Sequence, residues 1–390
     1  MKSVLLIFFL AIIPYTVFAF AENDYPKILA KIEKVETKIT IAENLIQARM
    51  SNITLDNCSG DICYLDNLEI STDNAHLDCS NKTLQPLNNA TVGITISGDL
   101  VSIINCTFAG FTQAIIISGS ENIIAHNIIQ NNPEGGVTIT GDKNKIFNNT
   151  FSDNKKYNIF TDIGADYNYI YNNTMIDIDN LYQPYTGAIG AIGISSAHNK
   201  IIKNTITNNA EEGIKIFLLE AAEAAPFKNL IAENTVMNSG VLGLEISGEL
   251  AQSKKGQNTA FNNIFSQSEN EFGLRIRYSH GNRLIGNQIK NNNWQGIHIL
   301  LANNTFIKDN TVSKNGSDGI WLGDAHKSWV YRNTVKNNHN TCGINFAKWK
   351  GNKSKNNIAK LNTLKDNGGL HNNSQICDED ANKIVENIFK

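Results

Sequence analysis

The chain is short of several things, and each shortage removes a class of explanation. After the first twenty residues no long apolar run recurs, so no second candidate membrane span follows. Charge of one sign is not in excess: 34 Lys and Arg stand against 37 Asp and Glu. That balance leaves no polybasic footprint for nucleic acid and no acidic tail. Between residue 50 and the last residue there is no amphipathic stretch with a 3.6-residue period, which argues against a helical solenoid.

What the N-terminus does contain reads as an export signal. Lys2 is a short basic segment, Val4 to Phe18 is nearly all apolar, and Ala19-Phe20-Ala21 has the form of a cleavage site. The expectation is a signal peptide over 1–21 and a soluble periplasmic or secreted protein. Six cysteines, Cys58, Cys63, Cys79, Cys106, Cys342 and Cys377, all follow it, and an even count suits disulfides in an oxidising compartment.

Self-similarity is the strongest signal. Asn122-Ile-Ile-Ala-His-Asn127, Lys145-Ile-Phe-Asn-Asn149 and Tyr169-Ile-Tyr-Asn-Asn173 are variants of one segment. It continues through Asn204, Asn234, Asn263, Asn287, Asn310, Asn333, Asn362 and Asn387 at spacings of 22 to 31 residues. A second element, Gly-apolar-x-apolar, recurs as Gly136-Val-Thr-Ile, Gly213-Ile-Lys-Ile, Gly243-Leu-Glu-Ile, Gly273-Leu-Arg-Ile, Gly296-Ile-His-Ile, Gly319-Ile-Trp-Leu and Gly343-Ile-Asn-Phe. Alternation over so few residues means short strands with one face buried. Glycines and Asn-Asn or Asn-Gly pairs between them supply turns with positive φ. The fold class predicted is all-β: a single-stranded right-handed parallel β-helix of about a dozen coils over 51–390. The recurring Asn is then a ladder of stacked amides, a structural device and not a catalytic array.

Residues 22–50 break the pattern. Ile28, Leu29, Ile32, Val35, Ile39, Leu45 and Ile46 are spaced as a helix face, which predicts a helical cap over the open first coil, with a partner-binding segment as the alternative. Cys79 and Cys106 occupy the ladder slot in adjacent coils, about 5 Å apart and within disulfide reach. Cys342 and Cys377 fall in the last coils and Cys58 with Cys63 spans a local loop. Free, stacked cysteines are the alternative.

The segment Ile70-Ser-Thr-Asp-Asn-Ala-His-Leu-Asp-Cys79, followed by Val92-Gly-Ile-Thr-Ile and Val101-Ser-Ile-Ile-Asn-Cys106, resembles the entry coils of NosD-type proteins. The later repeats resemble the same wider family of parallel β-helix repeats, over roughly residues 65 to 389. The resemblance implies the fold, and a range of activities: carbohydrate binding, sugar hydrolysis, polysaccharide lysis, uronan epimerisation or, for the NosD branch, periplasmic copper-site maturation. Several signatures are missing. There is no Asp-Pro-His-Asp of mannuronan epimerases and no Gly-Asp-Asp with Gly-His-Gly of polygalacturonases, while Arg275-Ile-Arg277 is a faint match to their Arg-Ile-Lys. A copper role calls for clustered soft ligands, yet the eight histidines are scattered and neither His-x-His nor Met-x-x-Met occurs.

The outward position x of each Gly-apolar-x-apolar strand gives the candidate site. Thr95, Ile116 and Thr138 are bland; then come Lys215, Glu245, Arg275, His298, Trp321 and Asn345, a stripe about 24 Å long at ladder spacing. Arg277 widens its cationic part. Insertions at Asp177 to Ala188 (with Tyr182 and Tyr185), Leu218 to Lys228 and Gly248 to Gln257 are placed to wall a groove.

The reading is an acidic polysaccharide as partner. Lys215, Arg275 and Arg277 meet uronate carboxylates, Trp321 stacks on a sugar ring, Asn345 adds a polar contact, and His298 or Glu245 serves as general base with Arg275. A lyase or epimerase then requires His298 or Glu245 within hydrogen-bond reach of Arg or Lys. A binding or adhesin module requires a shallow aromatic groove without perturbed titratable groups. A NosD-like accessory protein requires three or more ligand side chains converging on one point. A purely structural face, with Lys215, Glu245 and Arg275 as cross-strand pairs, competes with all three. Asp324 with His326 near Trp329 forms a second polar cluster. Asp162, Asp166, Asp177 and Asp179 were weighed for Ca²⁺ and match no calcium loop. No metal, cofactor or nucleic-acid partner is implied, and a monomer is expected.

Overall fold

The computed structural model describes residues 24–48, 53–176, 190–219, 226–248, 256–339, 342–368, 374–378 and 382–389. The expected signal peptide, the first insertion with its two tyrosines, Asp177 and Asp179, and the centres of the other two insertions lie outside these residues. The chain forms two compact units, divided at Arg49 and Met50.

The first unit contains helix α1, Asp24–Ala48. Ile28, Ile32, Val35, Ile39, Ala42 and Ile46 recur at helical spacing and are buried. Leu29 and Leu45, assigned to that face from the sequence, are exposed. Each lies one position from an isoleucine of the stripe, so about 100° of helical rotation carries it off the apolar face.

The second unit is a parallel solenoid of three sheets. Each coil contributes one short strand to each sheet in fixed rotation. The middle residue of each strand points inward, as in Ile124, Ile146, Ile170 and Ile201 of one sheet and Phe108, Ile129 and Phe151 of another, all fully buried. Identical side chains stack from coil to coil because the register advances by whole coils, with no shift between neighbours.

The corner before each ladder residue has positive φ, and here the structure departs from the sequence reading. Asn105, Asn148, Asn172 and Asn262 are of the expected type, but Lys203, Glu233, Arg332 and Leu361 hold the same left-handed conformation. The next residue stabilises it. Asn263 Oδ1 accepts from the Asn234 backbone N–H and side-chain amide at 2.9 Å each. Its own Nδ2 donates to Ile231 O and Asn287 Oδ1, also at 2.9 Å. Each such Asn therefore satisfies buried groups of two neighbouring coils. Orphaning a single buried N–H costs about 1–3 kcal/mol, comparable with the strain of one left-handed non-glycine residue.

A second ladder, Asn122, Asn144, Asn168, Asn199, Asn229, Asn258 and Asn282, runs at another corner, and a third includes Asn292, Asn315, Asn338 and Asn367.

All six cysteines form disulfides, in the pairs Cys58–Cys63, Cys79–Cys106 and Cys342–Cys377. Cys79 and Cys106 are 4.9 Å apart at Cα and head the main Asn ladder, with Cys106 N–H donating to Asn127 Oδ1 at 3.0 Å. Among the described residues no helix is long and apolar enough to cross a membrane.

Candidate active site on the third sheet

The stripe read from the sequence is one column of the third sheet. Its register runs Phe160, Gly193, Lys215, Glu245, Arg275, His298, Trp321 and Asn345, each opposite the next. Phe160 and Gly193 come from coils whose strands lack the Gly-apolar-x-apolar pattern, so the repeat did not reveal them. Neighbours in this column are side by side at sheet spacing, which brings together residues 22 to 33 positions apart in the chain.

The centre is an ionic network. Glu245 is fully buried although its side chain is on the outward face, because cations cover it. Its Oε1 receives Arg277 Nε at 2.7 Å and Arg275 Nη2 at 3.0 Å, and Lys215 Nζ stands 3.8 Å from Oε2. Arg275 is also held by Glu271 at 2.7 Å, and Lys215 by Glu212 at 3.0 Å. Burial alone would raise the Glu245 carboxyl, but Arg275, Arg277 and Lys215 outweigh it and hold the group below the usual range. Glu212 goes the other way: burial, with the Glu245 charge, raises it against the pull of Lys215.

Glu212 Oε2 and Glu245 Oε2 are both sealed from solvent without a donor. Of the two carboxyls Glu212 is raised and Glu245 lowered, so Glu212 is the more readily protonated member of the pair. Three cations, Lys215, Arg275 and Arg277, thus face three carboxyl groups, Glu212, Glu245 and Glu271. Burial, then Glu212, also pushes the Tyr157 hydroxyl well above its ordinary range, and that hydroxyl is sealed without a partner.

His298 sits beside the network in an aromatic sandwich. Phe272 packs on one side at 4.2 Å between ring centroids and Trp321 stacks on the other at 4.3 Å. Gly323 makes room for Trp321: a Cβ there would fall 1.9 Å from the indole Cη2. Burial, then the charges of Arg275 and Arg277, lower the His298 pKa from 6.5 to about 3, so the imidazole is neutral at physiological pH. Nδ1 is sealed and has no partner among the described residues. With both faces covered, the edge carrying Nε2 is the part left for solvent or a ligand.

A pH dependence follows. Because the folded His298 pKa lies below its unfolded value, the unfolded chain binds the proton first as pH falls from about 6.5 toward 3. Stability contributed by the neutral ring is thus present above the unfolded pKa and lost on acidification. Glu212, raised in the fold, acts in the opposite direction, so the comparison belongs to a variant. His298→Gln should lose less of its urea midpoint between pH 7 and pH 4.5 than the parent chain; equal losses would contradict the neutral assignment.

The other expected residues are placed as follows. Arg277 is 38% exposed and bonded through Nε to Glu245 and Ser247, leaving its two terminal nitrogens without a bond among the described residues. Asn345 donates to Asp318 Oδ2 at 3.1 Å, and Asp318 also accepts the Cys342 N–H, which ties Asn345 to the last coils. Trp321 spends one face on His298.

Sequence reasoning missed Glu212, Glu271, Phe272, Tyr157, Trp294 and Trp349, since none occupies position x. Trp294 and Trp349 are the exposed aromatics, at 52% and 37%, and stand edge-on to Phe272 and Trp321 respectively. A large aromatic in an Asn-rich turn, as in Asn293-Trp294-Gln295-Gly296, was the available signal.

The second polar cluster is an ordinary corner. His326 Nε2 lies 3.1 Å from Asp324 Oδ1 and its Nδ1 accepts from Lys355 N–H. Asp166 accepts the Ala197 N–H and Asp162 that of Ile163, both as turn contacts. Among the described residues no group of three or more His, Cys, Asp or Glu is placed to hold a metal.

Comparison with known proteins agrees with this architecture. The family described as "Right handed beta helix region" matches residues 88–260 and 221–389. This chain belongs to the right-handed β-helix family. Among solved structures, this β-helix is similar to the periplasmic alginate epimerase AlgG, at 13% identity and a TM-score of 0.53, over 85% of this chain and 79% of that one. It is also similar to the A-module of the mannuronan C-5 epimerase AlgE6 from Azotobacter vinelandii, at 12% identity and 0.51, over 84% and 90%. At such identities the likeness is one of fold. No curated protein sequence matches the chain.

Proposed function

We propose that this β-helix is an exported protein that binds an acidic polysaccharide on its third sheet and processes it by removing the proton at C5 of a uronate. The observation that carries this reading is the neutral imidazole of His298, one edge open, beside Arg277 with two uncommitted guanidinium nitrogens. Arg277 takes the uronate carboxylate, which acidifies the adjacent C–H. His298 accepts that proton through Nε2. The carbanion then expels the O4 substituent, which takes up the proton held by His298 and departs as the free hydroxyl, leaving a 4,5-unsaturated ring; or water protonates it from the other side to give the C5 epimer, and His298 returns its proton to solvent. A bound carboxylate also offsets the positive charge that disfavours protonated His298, so binding and base strength rise together.

Arg277, the most exposed cation of the network, suits an anionic ligand, and the fold is one on which alginate epimerases are built. Three disulfides fit an oxidising compartment. Glu245 and Arg275, nominated as base and carboxylate ligand, are committed to each other. In this reading they hold the site and do not touch substrate. That same commitment favours a second reading, a binding module without chemistry.

Absorbance near 235 nm, where unsaturated uronates absorb, separates the two when the chain is incubated with alginate, polygalacturonate, hyaluronan or heparosan; solvent-tritium uptake covers epimerisation. We expect signal with at least one polymer, reduced about 100-fold or more in Arg277→Ala, the scale of losing one key electrostatic contact. No signal by either readout, with binding retained, moves the assignment to the binding module.

A further inference from the structure

The corner between the first and third sheets carries an open groove of about 520 Å³ that the proposed chemistry does not use. Gln267, Asn291 and Lys314, each with φ near +60°, form one side, and Glu269 and Asn293 lie on the other. Where this corner column begins, its outward amides pair between coils, as Asn238 of the groove's own lining does with Asn208 at 3.1 Å, and at another corner Asn172 pairs with Asn148 at 2.8 Å. In the groove, Gln267, Asn291 and Asn293 have no side-chain partner among the described residues. Lys314 is offset by Glu269, so the groove offers many neutral donors and acceptors and little net charge.

This groove adjoins the ionic face. Asn293 precedes Trp294, whose ring is 5.9 Å from Phe272 and perpendicular to it, and Phe272 in turn covers His298. A saccharide chain leaving His298 meets the exposed face of Trp294 and then the amides. Primary amides donate and accept at once, which suits hydroxyl and N-acetyl groups. A carboxylate can take their N–H groups, as Asp318 takes that of Asn345, but leaves their carbonyl oxygens without a donor.

We propose that the groove is a second subsite for an uncharged sugar, and that the polymer recognised alternates uronate with neutral or N-acetylated residues. The inference rests on the reading of the third sheet given above and adds the substrate's composition. A homopolyuronate would bring a carboxylate into the amide groove, against Glu269.

Calorimetric titration with hyaluronan or heparosan oligosaccharides, against oligomannuronate of equal length, tests it. The alternating oligomers should bind about tenfold more tightly. Asn291→Gly with Asn293→Ala should erase that preference and leave oligomannuronate affinity unchanged; glycine at 291 preserves the left-handed backbone. Arg277→Ala should weaken both ligands. Equal affinities for the two classes, or a preference unaffected by the double change, overturns the neutral subsite while an Arg277 effect keeps the ionic face in place. If neither class binds, both assignments fall.

Discussion

Glu245→Ala should lower the stability of the central coils by about 3–5 kcal/mol, the range for removing one partner of a buried ion pair. The carboxylate is fully buried and two arginines converge on one of its oxygens, while Lys215 faces the other. Without it, Arg275, 15% exposed, keeps Glu271, and Lys215 keeps Glu212, but Arg277 loses its carboxylate. Glu245→Gln retains acceptor oxygen and volume and should cost less. A solenoid opens locally, so hydrogen exchange of the strands Leu242–Ser247 and Leu274–Arg277 is the sharper readout beside the denaturation midpoint. A cost below about 1 kcal/mol for Glu245→Ala would mean that the network is a solvated surface array, since exposed pairs are worth that little.

His298→Ala should reduce turnover on the responsive polymer by 10²- to 10⁴-fold, the usual contribution of a positioned base, while binding changes little. The ring makes no hydrogen bond of its own and touches Phe272 and Trp321 by stacking, so its loss leaves the Arg277 contact in place. The pH profile of kcat/KM, which reports the groups of the free protein, gives a second check. The profile should stay flat through pH 6 to 8, because burial and the two arginines keep the imidazole neutral there. Unchanged turnover in His298→Ala, with the Arg277→Ala loss intact, would place the base elsewhere.

Much of this architecture was legible in the chain. The Asn series and the Gly-apolar-x-apolar strands sufficed for the solenoid, its coil size and the column from Lys215 to Asn345, because a stacked repeat converts period directly into spatial adjacency. The same arithmetic put Cys79 beside Cys106, while free cysteines stayed open as an alternative until the structure showed three disulfides, and α1 followed from its apolar spacing. Corner conformation was less legible: Lys203, Glu233 and Leu361 are not residues that announce a left-handed turn, and the ladder Asn after each one stabilises it.

The column listed charged residues without saying what each one faces. Glu245 and His298 both looked like candidate bases from the strand pattern alone. Three cations, against the pull of burial, hold the first below the usual carboxylate range, while burial between two aromatic rings and the charges of two arginines keep the second neutral. Glu212, Phe272 and Trp349 join them from strand edges and corners whose positions depend on how each coil bends. Order along the solenoid was therefore a property of the sequence alone. Charge state, partner and exposure were decided in three dimensions, because each depends on how neighbouring coils exclude water and place charge around a group.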